Sequence, residues 1–305
     1  MTLQQLKYVI EVAKSRSINK AAQTLFISQP SLSNALSELE AEVGITIFFR
    51  SNKGITITPE GSEFLGYARQ VVEQSELLEK RYMKTRSTQQ HFSVSTQHYA
   101  FAVSAFVRLL KEYDRDEFDF TLRETKTYEI IDDVKNLRSE IGVLYVNEFN
   151  QKVIKKFLRE GNLQFHELFT AEPHVFISST NPLAKKEYVT LADMEPYPYL
   201  SYEQGDYNSF YFSEEILSTL SRPKNIRVTD RATLFNLLIG LDGYTISTGV
   251  ISHKLNSKDI ISVPLKVDER INVGYITHKH VTHSTLANIY IQYLKESIQE
   301  ELNQL

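Results

Sequence analysis

The stretch from Asn19 to Glu42 constrains this chain more than any other, because its pattern is satisfied only by two short helices crossed around a tight turn. Ser17 stands where a side-chain oxygen caps a helix carrying Ala21, Ala22 and Leu25. Ser28 holds the same place before a second helix. Pro30 falls in that helix's first turn, where a missing N–H has no partner to lose, and Leu32, Leu36 and Leu39 form its buried stripe until Gly44 ends it. Small Ala21 and Ala22 let the two backbones approach, which is the packing requirement of a helix-turn-helix. A preceding helix is predicted from Leu3, Leu6, Ile10 and Ala13, which share one face.

After Gly44, the runs Ile45–Phe49 and Gly54–Thr58 are rich in Ile, Phe and Thr and predict a hairpin whose tip is Arg50-Ser51-Asn52-Lys53. A helix-turn-helix lays the N-terminal part of its second helix in the major groove of double-stranded DNA, so Gln29, Pro30, Ser31, Ser33, Asn34 and Ser37 are the candidate contacts. Gln and Asn can pair with adenine edges through two hydrogen bonds, and Ser hydroxyls serve bases or phosphates. Arg50, Asn52 and Lys53 would add contacts to phosphates or the minor groove beside that helix. A plain helical bundle with solvated Ser and Gln explains the helices but not the basic-tipped hairpin that follows them.

From Gly61 to about Gln90 there is no proline, and Phe64, Ala68, Val71, Val72, Leu78 and Tyr82 recur at three- and four-residue spacing. A helix of roughly 30 residues, about 45 Å long, is expected, and its apolar stripe calls for a second helix, hence dimerisation. From His91 onward the periods alternate. Strands are predicted at Phe92–Thr96, Phe118–Arg123 and Ile141–Val146, with helices at Ala100–Tyr113 and Tyr128–Arg138, the mark of a parallel sheet. A second series begins near Gln164, with strands at His174–Ser178, Tyr199–Tyr202, Ile226–Thr229 and Tyr244–Ser247, and helices at Phe210–Leu220 and Ala232–Leu241. Asn272–Thr277 and Leu286–Leu302 read as a last strand and helix. The expected division is a winged helix-turn-helix over 1–60, a linker helix over 61–90, and a two-lobed α/β domain over 91–305. Its first lobe takes 91–163 and 267–305, and its second 164–266.

Composition narrows the chemistry. The 305 residues include no cysteine, which removes disulfides, thiolate zinc sites and thiol switches. A net charge of −4 argues against indiscriminate nucleic-acid affinity, so any DNA contact must be local and specific. No export signal or run of ~18 apolar residues is visible, so a cytoplasmic protein away from membranes is expected. No Gly-x-Ser-x-Gly, Walker-type or Gly-x-Gly-x-x-Gly run occurs, which argues against an enzyme. Asp132-Asp133 and Glu214-Glu215 read as solvated helix faces, since neighbours along a helix diverge. His278, His280 and His283 read as polar residues at a strand end, with no metal or other cofactor called for.

In paired α/β lobes a ligand sits beyond the carboxyl ends of the strands, close to helix N-termini. The matching polar positions are Ser95, Thr96, Gln97, Thr125 and Tyr145 in the first lobe, and Ser201, Tyr202 and Thr229 in the second. Any one of these could be an ordinary helix cap. Their convergence as a group points to a site for a small-molecule co-inducer. A solute-binding protein of a transport system would use the same two lobes, but has no use for the first 90 residues.

The run Ala21-Ala22, Ser28-Gln29-Pro30-Ser31-Leu32-Ser33, Leu39-Glu40, Gly44, Phe48, Arg50 and Thr58-Pro59-Glu60-Gly61 resembles the N-terminal signature of the LysR-type transcriptional regulators, and the α/β layout extends the likeness along the chain. Asn34 and Glu60 depart from that family's usual Arg and aliphatic residues. The resemblance implies a winged helix-turn-helix, a linker-helix homodimer assembling into a homotetramer, and an effector domain similar to periplasmic solute-binding proteins. It also implies an activator in which two dimers bend promoter DNA and effector binding alters the bend and the recruitment of RNA polymerase. The Ser95-Thr96-Gln97 run and Pro198–Tyr202 are similar to the cysteine-regulon branch, which implies a sulfur-containing or amino-acid-derived anion as effector.

Overall fold

The computed structural model describes residues 1–51, 54–82, 90–114, 117–207, 209–252 and 258–303. The chain divides into two compact units, Met1–Thr88 and Gln89–Leu305.

In the first unit, α1 (Leu3–Ser15) is opened by a Thr2–Gln5 capping box. The Ser17 side chain accepts from the Lys20 N–H at the start of α2 (Ile18–Thr24), and Ser28 accepts from Ser31 at the start of α3 (Gln29–Val43). Gly44 closes α3 in the left-handed region, φ 73°, as its missing Cβ permits. The hairpin pairs β1 (Phe48–Ser51) with β2 (Gly54–Ile57). Its first strand starts later than Ile45 because the Glu40 carboxylate accepts the Ile47 and Phe48 N–H groups at 2.7 and 3.0 Å, tying that stretch to α3. Ile47 instead enters a core with Leu6, Val9, Leu32, Leu36 and Leu39.

The long helix α4 runs Pro59–Tyr82, beginning before the expected 61, and the expected residues 83–89 lie outside the described ones. Its first half is not a free linker. Leu65, Ala68 and Val72 are buried in the same core. The Thr58-Pro59-Glu60-Gly61 run has a packing reason: Thr58 Oγ1 donates to the Thr46 carbonyl at 2.6 Å and accepts the Gly61 N–H, and a Cβ on Gly61 would lie 2.3 Å from the Ile47 carbonyl oxygen.

The second unit holds two five-stranded sheets. Its elements are β3 (Gln90–Thr96), α5 (Ala100–Glu112), β4 (Phe118–Glu124), α6 (Thr127–Lys135), β5 (Ile141–Val146), α7 (Gln151–Glu160), β6 (Leu163–Ala171), β7 (His174–Ser178), α8 (Leu191–Met194) and β8 (Tyr199–Tyr202). They continue with β9 (Asn225–Val228), α9 (Arg231–Leu241), β10 (Tyr244–Ser247), β11 (Ile260–Pro264), β12 (Ile271–His278) and α10 (Thr285–Leu302). One sheet has the order β4-β3-β5-β12-β6 and the other β11-β7-β10-β8-β9. Parallel pairing of β3 with β4 and β5, and of β8 with β9 and β10, puts several strand ends on one side of each sheet.

In the second unit the lobe boundary and one helix differ from expectation. The second lobe does not begin at 164, because β6 pairs antiparallel with β12 from Ala171 opposite Ile271 to Leu163 opposite His278, completing the first sheet. The crossing to the second sheet comes between Ala171 and His174. The expected helix over Phe210–Leu220 is only a short 3₁₀ turn at Phe210–Phe212. Beyond it Ser213 is extended and Leu217 takes φ 56°, and the Tyr145 hydroxyl donates to the Ser213 carbonyl at 3.0 Å, which removes that acceptor from any helical ladder.

Candidate functional site

Each unit presents one candidate surface. On the first, α3 buries Leu32, Leu36 and Leu39 and turns Gln29, Pro30, Ser31, Asn34 and Ser37 outward, with Ser33 half-buried. Ser28 and Ser31 share a hydroxyl hydrogen bond of 2.7 Å, and Ser37 donates to the Ser33 carbonyl. Arg50 extends from β1 back across α3, donating to Ser33 Oγ at 2.9 Å and Ser37 Oγ at 3.3 Å, with the Glu40 carboxylate 3.5 Å away. It is thus joined to the reading face rather than projecting from the hairpin tip. Asn52 and Lys53 lie outside the described residues.

The second unit contains a narrow cleft of about 40 Å³, lined by the N-terminus of α5, by β8 and β10, by α9 and by the segment before Ile216. The His98 backbone N–H donates to the Glu214 carboxylate at 3.0 Å, and its ring Nδ1 lies 2.9 Å from the same group. The Tyr202 ring stacks on the His98 ring at 3.8 Å, within 5° of parallel. Glu215 accepts the Tyr202 N–H at 2.9 Å, and Arg231, opening α9, pairs with Glu124 at 3.2 Å. Apolar Phe176, Leu234, Phe235 and Ile251 complete the lining.

The electrostatics follow from burial. Burial pushes the Glu215 carboxyl well above its usual range, and the Glu214 charge adds to the effect. Burial also raises Glu124 against the opposing pull of Arg231. For His98, burial alone would lower the pKa, but the charge and hydrogen bond of Glu214, with Glu124 behind them, raise it.

Of the eight candidates for this site, Tyr202 lines the cleft. Ser95 turns away, bonding Asp133 at 2.6 Å and Ser139 at 2.8 Å in a buried network. Thr96 bonds the Gln97 carbonyl. Gln97 is a buried connector, donating to Thr127 Oγ1 and accepting the Tyr145 N–H. Thr125 bonds Glu129, Tyr145 reaches Ser213, Ser201 is buried, and Thr229 is exposed. Glu214 and Glu215 are the opposite of solvated, because without a helix over 213–220 both carboxylates turn inward. Asp133 is likewise buried, holding Ser95 and Arg138. His98 was legible only as part of the polar run after β3. The His278 and His280 rings are 5.9 Å apart, and among the described residues no group of three or more His, Asp or Glu could hold a metal ion. Among them, too, no helix is long and apolar enough to cross a membrane.

Residues 3–62 match the family of bacterial regulatory helix-turn-helix proteins of the lysR type, and residues 91–299 match the LysR substrate binding domain. The HTH-type transcriptional regulator CysL of Bacillus subtilis is 25% identical, over 97% of this chain and 98% of its own length. The Hca operon transcriptional activator HcaR of Escherichia coli is 24% identical over 87% of each. A shorter match, 40% identical, covers 28% of this chain and 26% of the uncharacterized regulator YcgK of Bacillus subtilis. Among solved structures, full-length CbnR in complex with its target DNA superposes with a TM-score of 0.54 at 18% identity, over 97% of this chain and all of CbnR. Both units are therefore matched in order, and the chain belongs to the LysR family of helix-turn-helix transcription regulators, which bind DNA and respond to small-molecule effectors.

Proposed function

We propose that this chain reads promoter DNA with the outward face of α3, that Gln29, Ser31, Ser33, Asn34 and Ser37 meet base edges or phosphates, and that Arg50 switches from Ser33 and Ser37 to the DNA backbone. The observation that carries the reading is the division of α3 itself, with every leucine in the core and a mainly polar N-terminal face, interrupted by Pro30, outside. Gln29→Ala with Ser33→Ala should weaken binding to the cognate promoter by about 1–3 kcal/mol for each base-specific hydrogen-bonding side chain removed. An unchanged footprint refutes the assignment.

The effector site in this reading is the cleft between α5 and α9, acting through a small-molecule co-inducer without a permanent cofactor. Exposed Tyr67, Val71 and Leu78 on α4 support a second copy of the chain as partner, in a homodimer that pairs into a homotetramer. Activation through RNA polymerase, a cytoplasmic location and the absence of catalysis complete the proposal. Gain of a ligand-induced melting shift that Tyr202→Ala abolishes supports the cleft. Retention of that shift in the variant places the site elsewhere.

A further inference from the structure

The cleft is unusual in how its charges are already committed. A helix N-terminus such as that of α5 favours an anion. Just ahead of that terminus a carboxylate is already in place, since Glu214 takes both the His98 N–H and the ring Nδ1, two residues before the first residue of α5. The other cation of the lining, Arg231, faces Glu124. Glu215 is a third carboxylate, 3% exposed and lining the same cleft, and its hydrogen bonds come from uncharged backbone N–H groups, those of Tyr202 and its own, with no ion-pair partner among the described residues. Arg222, whose charge reaches it through space, is held elsewhere, over the Tyr199 ring at 3.9 Å and bonded to Tyr244 and the Leu217 carbonyl. A ligand with a bare carboxylate would enter beside Glu214 and Glu215, with His98 and Arg231 each already facing a carboxylate and Arg231 Nη1 left without a hydrogen bond. One carrying a positive charge supplies what the cleft lacks.

We propose that the ligand of this cleft carries a protonated amine seated against Glu215, on an apolar body packed over Phe176, Leu234, Phe235 and Ile251. This rests on the reading of the cleft as the effector site. The amine class includes free amines and amino acids, whose carboxylate could take the Arg231 Nη1, a buried atom with no hydrogen bond. A proton accompanies the step. Burial and Glu214 push the Glu215 carboxyl well above its usual range in the empty cleft, where it is also faced by Arg222, Tyr99, Tyr145, Tyr199 and Tyr202. An arriving ammonium favours the carboxylate, so Glu215 releases its proton to solvent.

The test is calorimetric titration of the full chain with matched pairs that differ only in charge, phenethylamine against 3-phenylpropanoate and butylamine against butanoate. Amines should bind at least about tenfold more tightly than their carboxylate partners, and Glu215→Gln should weaken amine binding by about tenfold or more. The heat of amine binding should also vary with the ionisation enthalpy of the buffer, and that variation should vanish in Glu215→Gln. Absence of amine binding at millimolar concentration overturns the proposal, as does amine binding unaffected by Glu215→Gln. Tighter binding of the carboxylates, abolished by Tyr202→Ala, overturns the amine but leaves the cleft as the effector site. Binding of every probe unchanged by Tyr202→Ala overturns both.

Discussion

Removing Glu214 should uncouple the two lobes of the effector unit, and the size of the effect can be worked from its partners. Its carboxylate is 5% exposed and accepts from three donors: the His98 N–H, the His98 ring and, at 3.4 Å, the Gln204 side chain. Glu214→Ala strands all three inside the protein. Breaking a buried pair from one side costs about 3–5 kcal/mol, which for a unit of this size lowers Tm by roughly 6–20 °C. His98→Ala should cost a similar amount, because it leaves Glu214 buried and removes the ring stacked on Tyr202. Since each single change destroys the same interaction, the double variant should be more stable than the sum of the two predicts, by ~1.5–3 kcal/mol. The coupling also has a pH signature. The folded pKa of His98 is raised, so its contribution is fully present below the unfolded value near 6.5 and is lost as pH rises through the folded value. Urea unfolding followed by circular dichroism, on all four proteins at several pH values, measures both. Additive single variants at acidic pH, or a coupling that does not fall toward alkaline pH, would refute the reasoning.

In the first unit, Gly61→Ala forces a Cβ to within 2.3 Å of the Ile47 carbonyl oxygen, and thermal unfolding should show a loss of about 1–3 kcal/mol. Arg50→Gln should make the salt dependence of promoter binding shallower by about one unit of log–log slope, measured by fluorescence anisotropy across a salt series; an equal slope would remove Arg50 from the DNA interface. Val71→Asp with Leu78→Asp should shift the chain toward monomer in sedimentation velocity, because both side chains are exposed on α4 and neither is in the core of the unit.

The DNA-binding unit was legible because its determinants are local. Caps at Ser17 and Ser28, Pro30 in the first turn, Gly44 at the end and leucines at helical spacing each act within a few residues of where they stand. Even there, Glu40 decided the start of β1 and Ile47 the packing of Gly61 through interactions that no spacing rule contains. Most strands and helices of the effector unit were legible for the same local reasons, but β6, β11, α7 and α8 were not among the expected elements. Sheet membership of β6 was not legible, because it depends on β12, about a hundred residues later in the chain.

The ligand cleft belongs almost wholly to the tertiary structure. Sequence alone located polar strand ends, and most of those side chains proved to be occupied with one another, as Ser95 is with Asp133 and Gln97 with Thr127. By itself the sequence determined most helical and extended stretches and which helix face is polar, since these follow mainly from near neighbours, although Phe210–Leu220 did not form the helix its pattern predicts. Only the folded chain decided that His98 meets Glu214, 116 positions apart, and that Glu215 is buried beside them without an ion-pair partner among the described residues. Burial and pairing of charge are properties of the space between elements, and that space exists only once the two lobes have closed on each other.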